Sequence, residues 1–411
     1  MKKNNLIYLL ALLTALLSSN YSYSKTKKLG GENITPNLFK GSDIQRIRLA
    51  IDAAKGTTNK VFIPSINANG SNIWLLDSAI IVPGNMTIIL DNCTVQLSDS
   101  CRDNMFRSEY ADKGISDPKW NKNISIVGVG NVLLKGAVNP RATGDGGKTL
   151  GKMTYGSDAG KVGRKQTGDS RNIMIHMVHV DGFTIKNVSI ENSHMWAFSF
   201  EWTLNADISD IKINNPVEIV VNGQKVRVLN KDGIDLRQGC KNFRIDNISG
   251  MTGDDFIALT NFYTAPNQEN PEINIIEQIS ISNITCESVT RAIAIRAKDN
   301  AGIRNVFING VKYKGRWNAM LVGGKGYGNP NLPGNINNIH AMNIMGNGYS
   351  LVHIEEAIAD CSFVNCIYTG GGEQVISYNV DKDRKRDIIP KDTLDKVLTK
   401  NVITKNLIKT Q

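Results

Sequence analysis

A short apolar phrase recurs along the chain. It consists of an apolar residue, an Ile or Val one or two positions later, and then an Asn or Asp followed by another Ile or Val. The clear copies are FTIKNVSI (183–190), ISDIKI (208–213), FRIDNI (243–248), ISISNI (279–284), IRNVFI (303–308) and INNI (336–339). Their period of two predicts short, half-buried β-strands, and almost no helical periodicity separates them.

The copies recur at intervals of about 22 to 37 residues. One such unit cannot bury its apolar face alone, whereas units stacked as parallel strands share one continuous core. We therefore predict an all-β fold, a right-handed parallel β-helix. A β-sandwich is the alternative, but it needs hairpin turns between its strands, and the pattern does not show them.

The segment GSDIQRIRLAIDAAKG (41–56) has helical instead of strand periodicity. Ser42 is suited to cap a helix and Gly56 to end it. One helical face carries the apolar residues Ile44, Ile47, Ile51 and Ala54. An open solenoid end exposes unpaired strand edges, so we expect this short N-terminal helix to cover them.

The chain divides into three segments. Residues 1–24 are predicted to be a signal peptide, because Lys2 and Lys3 precede an apolar stretch and small residues precede a cleavage site. Residues 25–375 are predicted to form the β-helix. The charged tail, residues 376–411, is expected to cover the other end or to be partly mobile. The protein is thus expected to be exported, to the periplasm or outside the cell, and to have no membrane contact after signal removal.

Charge favours a polyanionic partner. The formal net charge of +10 falls to +8 without the two signal-peptide lysines. There is no dense Lys/Arg block or heptad pattern of a nucleic-acid-binding helix, so no nucleic-acid partner is expected. The six cysteines are compatible with disulfides or with buried thiols, and no C-x-x-C or Cys/His cluster indicates a metal site. We expect a monomer without metal or cofactor.

The recurring phrase also gives a register between coils. Counted from Ile248, Asp254 is six residues on; counted from Ile284, Thr290 is six residues on and Arg291 follows. Two columns of this register are apolar: Ile234, Ile257, Ile293 and Met320, and Leu236, Leu259, Ile295 and Val322. One column is polar: Asp232, Asp255, Arg291 and Asn318.

The polar column would bring Asp232 and Asp255 together with Asp254, since neighbouring strands lie about 4.8 Å apart. Like charges at this range raise at least one pKa, as a general acid near neutral pH requires. Adjacent strand residues point to opposite faces. Asp254 and Asp255 can therefore share one cleft only on a turn or bulge, which Gly253 would ease. Asp235 is interpreted as structural or as a distant cleft residue.

These motifs resemble those of the polygalacturonase family (glycoside hydrolase family 28), inverting enzymes on a pectate-lyase-like β-helix. Asn230-Lys231-Asp232-Gly233 is similar to its N-T-D-G motif, and Gly253-Asp254-Asp255 to its D-D motif. The resemblance implies Asp254 as general acid and Asp232 with Asp255 as the base pair that activates water. Inversion places the acid and base carboxyls roughly 6.5 to 9.5 Å apart.

The chain departs from the family at two further motifs. No histidine occurs between Asp255 and His340, and the register puts Arg291 where the family has the histidine of G-H-G. Arg296-Ala297-Lys298 is similar to R-I-K but lies one coil early, and Asn318 begins the stretch where that motif belongs. We expect Arg291, Arg296 and Lys298 to line the cleft and to hold a uronate carboxylate.

One coil before Asp232, His194 and Trp196 could form a sugar-stacking wall, or equally an interior aromatic stack. The sequence thus predicts an exported hydrolase that cleaves a uronic-acid-containing, pectic-type glycan. One alternative is a β-elimination lyase in which the aspartates bind calcium and Arg291 abstracts the proton. Others are a non-catalytic carbohydrate-binding β-helix and a plain Asn/Asp turn ladder at the coil corners.

Overall fold

The computed structural model describes residues 34–101, 103–111, 119–140, 169–228, 230–262, 271–297, 301–323, 335–371, 375–378, 399–400 and 403–410. The predicted signal peptide, Lys298 and most of the predicted tail lie outside the described residues.

The described elements are one α-helix, three 3₁₀ helices and 26 strands. Helix α1 is Asp43–Ala54, and the 3₁₀ helices are Pro36–Leu38, Asp169–Asn172 and Pro271–Asn274. The strands are β1 (Lys60–Ile63), β2 (Ile73–Leu76), β3 (Ile80–Val82), β4 (Thr87–Asp91), β5 (Thr94–Leu97), β6 (Phe106–Ser108), β7 (Asn121–Val129), β8 (Leu133–Lys135), β9 (Ile175–Glu191), β10 (Phe198–Asn215), β11 (Glu218–Val221), β12 (Gln224–Arg227), β13 (Ile234–Leu236), β14 (Lys241–Thr252), β15 (Ile257–Asn261), β16 (Ile276–Ser288), β17 (Arg291–Ala297), β18 (Ile303–Gly315), β19 (Asn318–Val322), β20 (Ile336–Gly346), β21 (Ser350–Ile354), β22 (Ile358–Ala359), β23 (Ser362–Tyr368), β24 (Ile376–Tyr378), β25 (Thr399–Lys400) and β26 (Ile403–Lys409).

Successive coils stack through parallel strand pairs. The long strands pair in the order β10, β14, β16, β18, β20, β23 and β26. A second ladder runs through β13, β15, β17, β19, β21 and β24, and we call it the cleft sheet. The predicted right-handed parallel β-helix is confirmed.

The Asn of the recurring phrase bends each long strand. Asn247 and Asn283 of the phrase, and Asn343 at the same corner of β20, all have φ of 56°, in the left-handed region that Asn tolerates better than other non-glycine residues. Their side-chain amides also link coils: Asn283 Nδ2 donates to Asp246 Oδ1 at 2.8 Å, and Asn343 Nδ2 to Asn309 Oδ1 at 2.8 Å. A turn ladder therefore exists at these corners, away from the aspartates of the two motifs.

The apolar columns fill the interior, as predicted. Ile234 pairs with Ile257, and Ile257 with Ile293, whose partner in the next coil is Met320. All four side chains are completely buried. Because inward positions repeat at every second residue, the intervening side chains of the cleft sheet face outward.

Helix α1 covers the first coil. Its capping box has Ser42 at the N-cap: the Ser42 amide donates to Gln45 Oε1 at 2.9 Å, and the Gln45 amide donates to Ser42 Oγ. Ile44, Ile47, Ile51 and Ala54 are buried. The predicted N-terminal cap is confirmed.

The hairpin β11–β12 departs from the expectation of a chain without hairpins. It is antiparallel, with Val221 paired to Gln224 across Asn222 and Gly223. Both turn residues have positive φ, 50° and 77°, as the type I′ turn of an Asn-Gly pair requires. The hairpin lies directly before the Asp232 motif.

Strand pairing continues into the segment predicted as a tail, since β25 pairs with β22 and β26 with β23. All seven residues of β26 are exposed.

All six cysteines are buried free thiols, so the disulfide alternative is wrong. No helix within the described residues combines the length and apolar character that crossing a bilayer requires.

Candidate active site

The polar column of the cleft sheet forms as predicted. The Gly233 amide donates to the Asp255 carbonyl, and the Phe256 amide to the Arg291 carbonyl, both at 2.9 Å. These bonds continue the parallel pairing of β13, β15 and β17 into the residues that precede β13 and β15. Asp232, Asp255 and Arg291 are therefore neighbours across three coils. Arg291 pairs in turn with Asn318.

A break between β14 and β15 lets Asp254 and Asp255 share one site. The Thr252 hydroxyl and the Ser288 hydroxyl both donate to the Asp254 carbonyl oxygen, at 2.6 and 2.7 Å. Gly253 is required there, because a Cβ on it would lie 2.7 Å from the Val217 Cα at the base of the hairpin. The expectation that this segment leaves strand geometry is confirmed.

Thr290 joins the two acids. Its Oγ1 lies 3.0 Å from Asp254 Oδ1 and 2.8 Å from Asp255 Oδ1. A hydroxyl has one proton to donate and can accept another. With Asp254 protonated and Asp255 ionised, Thr290 accepts from Asp254 and donates to Asp255, and both contacts become hydrogen bonds. The register aligned Thr290 with Asp254, but sequence reasoning gave it no role.

Asp255 is held as a carboxylate. It is 1% exposed, and Arg291 Nη1 lies 3.1 Å from its Oδ1 while Arg296 Nη2 lies 3.0 Å from its Oδ2. Burial raises the pKa of Asp255, but Arg296 and Arg291, helped by the Thr290 hydroxyl, outweigh it and leave the pKa below its usual range. Asp255 therefore cannot be the proton donor.

Asp254 has the opposite character. Burial, and then the charge of Asp255, raise its pKa to about 6 against the opposing effects of Thr290 and the two arginines. The pair thus contains one carboxyl that can carry a proton in mildly acidic solution and one that stays ionised. This division is what an acid and its neighbouring base or stabiliser require.

Two further carboxyls complete the cluster. Burial and then Asp235 raise the pKa of Asp232 well above its usual range. Asp235 is 1% exposed, and burial together with the charges of Asp255 and Asp254 raises its pKa, against Arg237 and Arg296. Asp235 is therefore part of the cluster, and its interpretation as a distant residue is wrong. Asp235 lies between the inward-facing Ile234 and Leu236, so strand alternation alone indicated that its side chain points away from the core.

Two tryptophans flank the cluster. The Arg291 guanidinium carbon lies 4.7 Å from the Trp317 ring centre, and that of Arg237 lies 5.1 Å from the Trp196 ring centre. Trp196 immediately precedes Ala197, whose amide donates to the Asp232 carbonyl. Stacking on a guanidinium fixes each ring, and Trp317, which is 40% exposed, keeps indole surface that suits a sugar ring. Trp317 was not predicted.

The remaining predicted site residues have other contacts. His194 is buried, its Nε2 accepts from the Ala137 amide at 3.1 Å, and burial lowers its pKa to about 3. Asn318 Nδ2 donates to Ser350 Oγ at 2.8 Å. The substrate-binding roles given to these two residues, and to Arg291 and Arg296, stay predictions. Lys298 lies outside the described residues.

The Asn230–Gly233 motif contains two unusual positions. A Cβ on Gly233 would overlap the Phe256 carbonyl oxygen of the next coil, so only glycine fits. Lys231 is completely buried, its Nζ has no hydrogen-bond partner among the residues that the structure describes, and burial lowers its pKa to about 7. Sequence reasoning gave no indication of this burial.

Comparison with known proteins places this geometry in context. The profile of "Glycosyl hydrolases family 28" matches residues 77–347. No curated protein matches the sequence significantly.

The described fold is similar to that of an exopolygalacturonase from Thermotoga maritima, at 13% identity and a TM-score of 0.57, over 92% of this chain and 91% of the other. A surface protein and adhesin from Streptococcus pneumoniae has 12% identity and a TM-score of 0.50, over 91% and 100%. A polygalacturonase from Erwinia carotovora ssp. carotovora has 13% identity and a TM-score of 0.48, over 95% and 100%. At these identities the structural likenesses show the fold alone. Since the family profile spans well over half of the chain, the protein belongs to glycosyl hydrolase family 28.

Proposed function

We propose that the protein is an exported, polygalacturonase-like hydrolase that cleaves a uronic-acid-containing glycan with inversion. The observation that carries the proposal is the Asp254–Thr290–Asp255 arrangement, in which one hydroxyl contacts a protonatable acid and an arginine-bound carboxylate. Membership of glycosyl hydrolase family 28 supports glycoside hydrolysis, and the exopolygalacturonase from Thermotoga maritima suggests the substrate class.

In this mechanism Asp254 donates its proton to the glycosidic oxygen as the bond to the anomeric carbon breaks. A water molecule attacks that carbon from the opposite face and gives its proton to a carboxylate of the Asp232 side of the cluster. Asp255, ionised between two arginines, holds their guanidinium groups in place, and its charge helps to keep the proton on Asp254. One displacement inverts the anomeric configuration, and no covalent intermediate forms.

The arginines can serve the uronate as well as Asp255. Each guanidinium has five N–H donors, and one nitrogen of each contacts Asp255. Arg291 Nε is buried and has no hydrogen-bond partner among the described residues. A substrate carboxylate would bind the remaining N–H donors of Arg291, with Trp317 beside it as a stacking surface.

One observation supports the lyase alternative. Arg291 lies beside the aspartates, where elimination would need a base. The calcium site of this alternative fits the geometry less well. Both oxygens of Asp255 already contact arginines, and a divalent cation beside them would meet two positive charges.

The test is a panel of pectic and other acidic glycans, with the wild type and Asp254→Asn. Hydrolysis is expected to release new reducing ends without absorbance near 235 nm, and NMR of the first product is expected to show the inverted anomer. Asparagine keeps the shape and the Thr290 contact but has no proton to give, so activity should fall by about 10³-fold or more.

Other outcomes point elsewhere. Unsaturated products that disappear with a calcium chelator would establish the lyase. Glycan binding that Asp254→Asn leaves intact, with no cleavage by either protein, would indicate a binding module. The structural likeness to an adhesin makes this last arm worth measuring.

A further inference from the structure

Three buried oxygens in and beside the acid cluster have no hydrogen-bond partner within the described part of the chain: Asp232 Oδ1, Asp235 Oδ2 and Ser199 Oγ. Asp232 is 8% exposed, Asp235 is 1% exposed and Ser199 is completely buried. A buried polar oxygen without a partner destabilises the fold, because it has lost its bonds to water. Three such oxygens in one neighbourhood are satisfied together by a small hydrogen-bonding molecule, and water is the simplest.

The strand register places two of these three residues, Ser199 and Asp235, side by side. Ser199 of β10 pairs with Asp235 of β13, and Asp235 pairs with Ala258 of β15, so the two polar residues are neighbours on the outer face of the cleft sheet. Their neighbour Ala258 carries only a methyl group, so its side chain is small enough to admit a water molecule beside Asp235. Asp232 lies three residues before Asp235 in the chain, and the charge of Asp235 helps to raise the pKa of Asp232.

Both oxygens of Asp255, by contrast, already contact a guanidinium group. Its Oδ1 contacts Thr290 and Arg291, and its Oδ2 contacts Arg296. A carboxylate so fully bonded binds a proton weakly and is a poor base. The family resemblance pairs Asp232 with Asp255 as the base, and this pairing does not fit these contacts.

We propose that Asp235 is the second water-binding carboxylate: the attacking water sits on Asp232 Oδ1, Asp235 Oδ2 and Ser199 Oγ, and Asp232 and Asp235 together act as the base. This assignment rests on the proposed hydrolysis. Asp255 then has an electrostatic role, since it holds the arginines and Thr290 in place.

Every proton is accounted for over one catalytic cycle. Two buried like-charged carboxyls share one proton at rest. The water oxygen bonds to the anomeric carbon, the bond to the leaving oxygen breaks, and the electron pair of that bond takes the proton of Asp254. The proton lost by the water moves to the ionised member of the Asp232–Asp235 pair. After product release, solvent carries one proton from the pair back to Asp254, and the site is restored.

The test compares Asp235→Asn with the wild type, Asp254→Asn and the matched surface control Asp210→Asn. Asp210 is exposed and lies on the turn ladder. Asp235→Asn should lower kcat about 10²–10³-fold with little change in KM, the range for loss of a general base. Because a neighbouring like charge is gone, the acidic limb of the kcat/KM profile should move to lower pH. Asp210→Asn should match the wild type.

The outcomes separate the two proposals. If Asp254→Asn is inactive while Asp235→Asn keeps the wild-type kcat and acidic limb, the proposed hydrolysis stands and Asp235 is not part of the base. If the wild type hydrolyses no glycan of the panel, both proposals fall. Should Asp235→Asn not fold, Ser199→Ala serves instead. Loss of this one hydroxyl should lower kcat about 3- to 10-fold, and an unchanged kcat would overturn the water site.

Discussion

The buried lysine of the Asn230–Gly233 motif makes a quantitative prediction about stability. Lys231 is completely buried without a hydrogen-bond partner for Nζ among the described residues, and its pKa falls to about 7 because the ammonium loses its hydration. In the unfolded chain the pKa is about 10.4. A difference of roughly 3.5 pH units, at about 1.4 kcal/mol each, corresponds to a penalty of about 4–5 kcal/mol for the charged form.

The sign of the pH dependence follows from linkage. Between about pH 7 and pH 10 the unfolded state holds this proton and the folded state does not, so stability rises with pH in that window. Below about pH 7 both states are protonated and the full penalty is present. Lys231→Met keeps a similar length and removes the charge. The variant should therefore be more stable than the wild type near pH 6, and its advantage should shrink by about 2–3 kcal/mol at pH 9.

The assay is urea unfolding of both proteins at about pH 6 and pH 9, followed by tryptophan fluorescence. All groups other than Lys231 titrate in both proteins, so the difference between them isolates this residue. Lys225→Met, at an exposed position of the β11–β12 hairpin, is the control and should show no such trend. A Lys231→Met advantage that is absent, or equal at the two pH values, would refute the buried-ammonium reasoning.

Three further predictions concern the acid cluster. Arg296→Met breaks the buried ion pair to Asp255 and should destabilise the fold by about 3–5 kcal/mol, measured by urea unfolding; a loss below about 1 kcal/mol would mean that Arg291 alone suffices. Asp254 acts protonated and its pKa is about 6, so kcat/KM should decline as pH rises above about 6; a decline beginning only near pH 8 would contradict its assignment as the acid. Gly233→Ala meets the Phe256 carbonyl and should destabilise the fold by about 2–3 kcal/mol and lower activity; full activity and unchanged unfolding would show that the coils can separate there.

The β11–β12 hairpin has its own sequence signal. Asn222-Gly223 is a strong type I′ turn signal, and it lies outside the repeated phrase that predicts the parallel coils. Val217, just before the first strand of the hairpin, lies against Gly253. The hairpin, which extends from one coil, therefore helps to shape the Asp254 turn in the next coil.

The sequence by itself determined the stack and its register. Period-two strands and the left-handed Asn corners are local properties, and their repetition fixed which residues of neighbouring coils meet. It therefore predicted that Asp232, Asp255 and Arg291 form one column and that Asp254 must lie on a turn. These conclusions needed only spacing and side-chain parity.

The tertiary structure decided what each acid does. The protonation of Asp254, the two arginines on Asp255, and the inclusion of Asp235 depend on burial and on distances between side chains from different coils. A sequence pattern states which coil a residue belongs to, but not how much water surrounds it or where its charged end reaches. Since pKa follows desolvation and charges within a few ångströms, the chemical roles at this site became visible only in three dimensions.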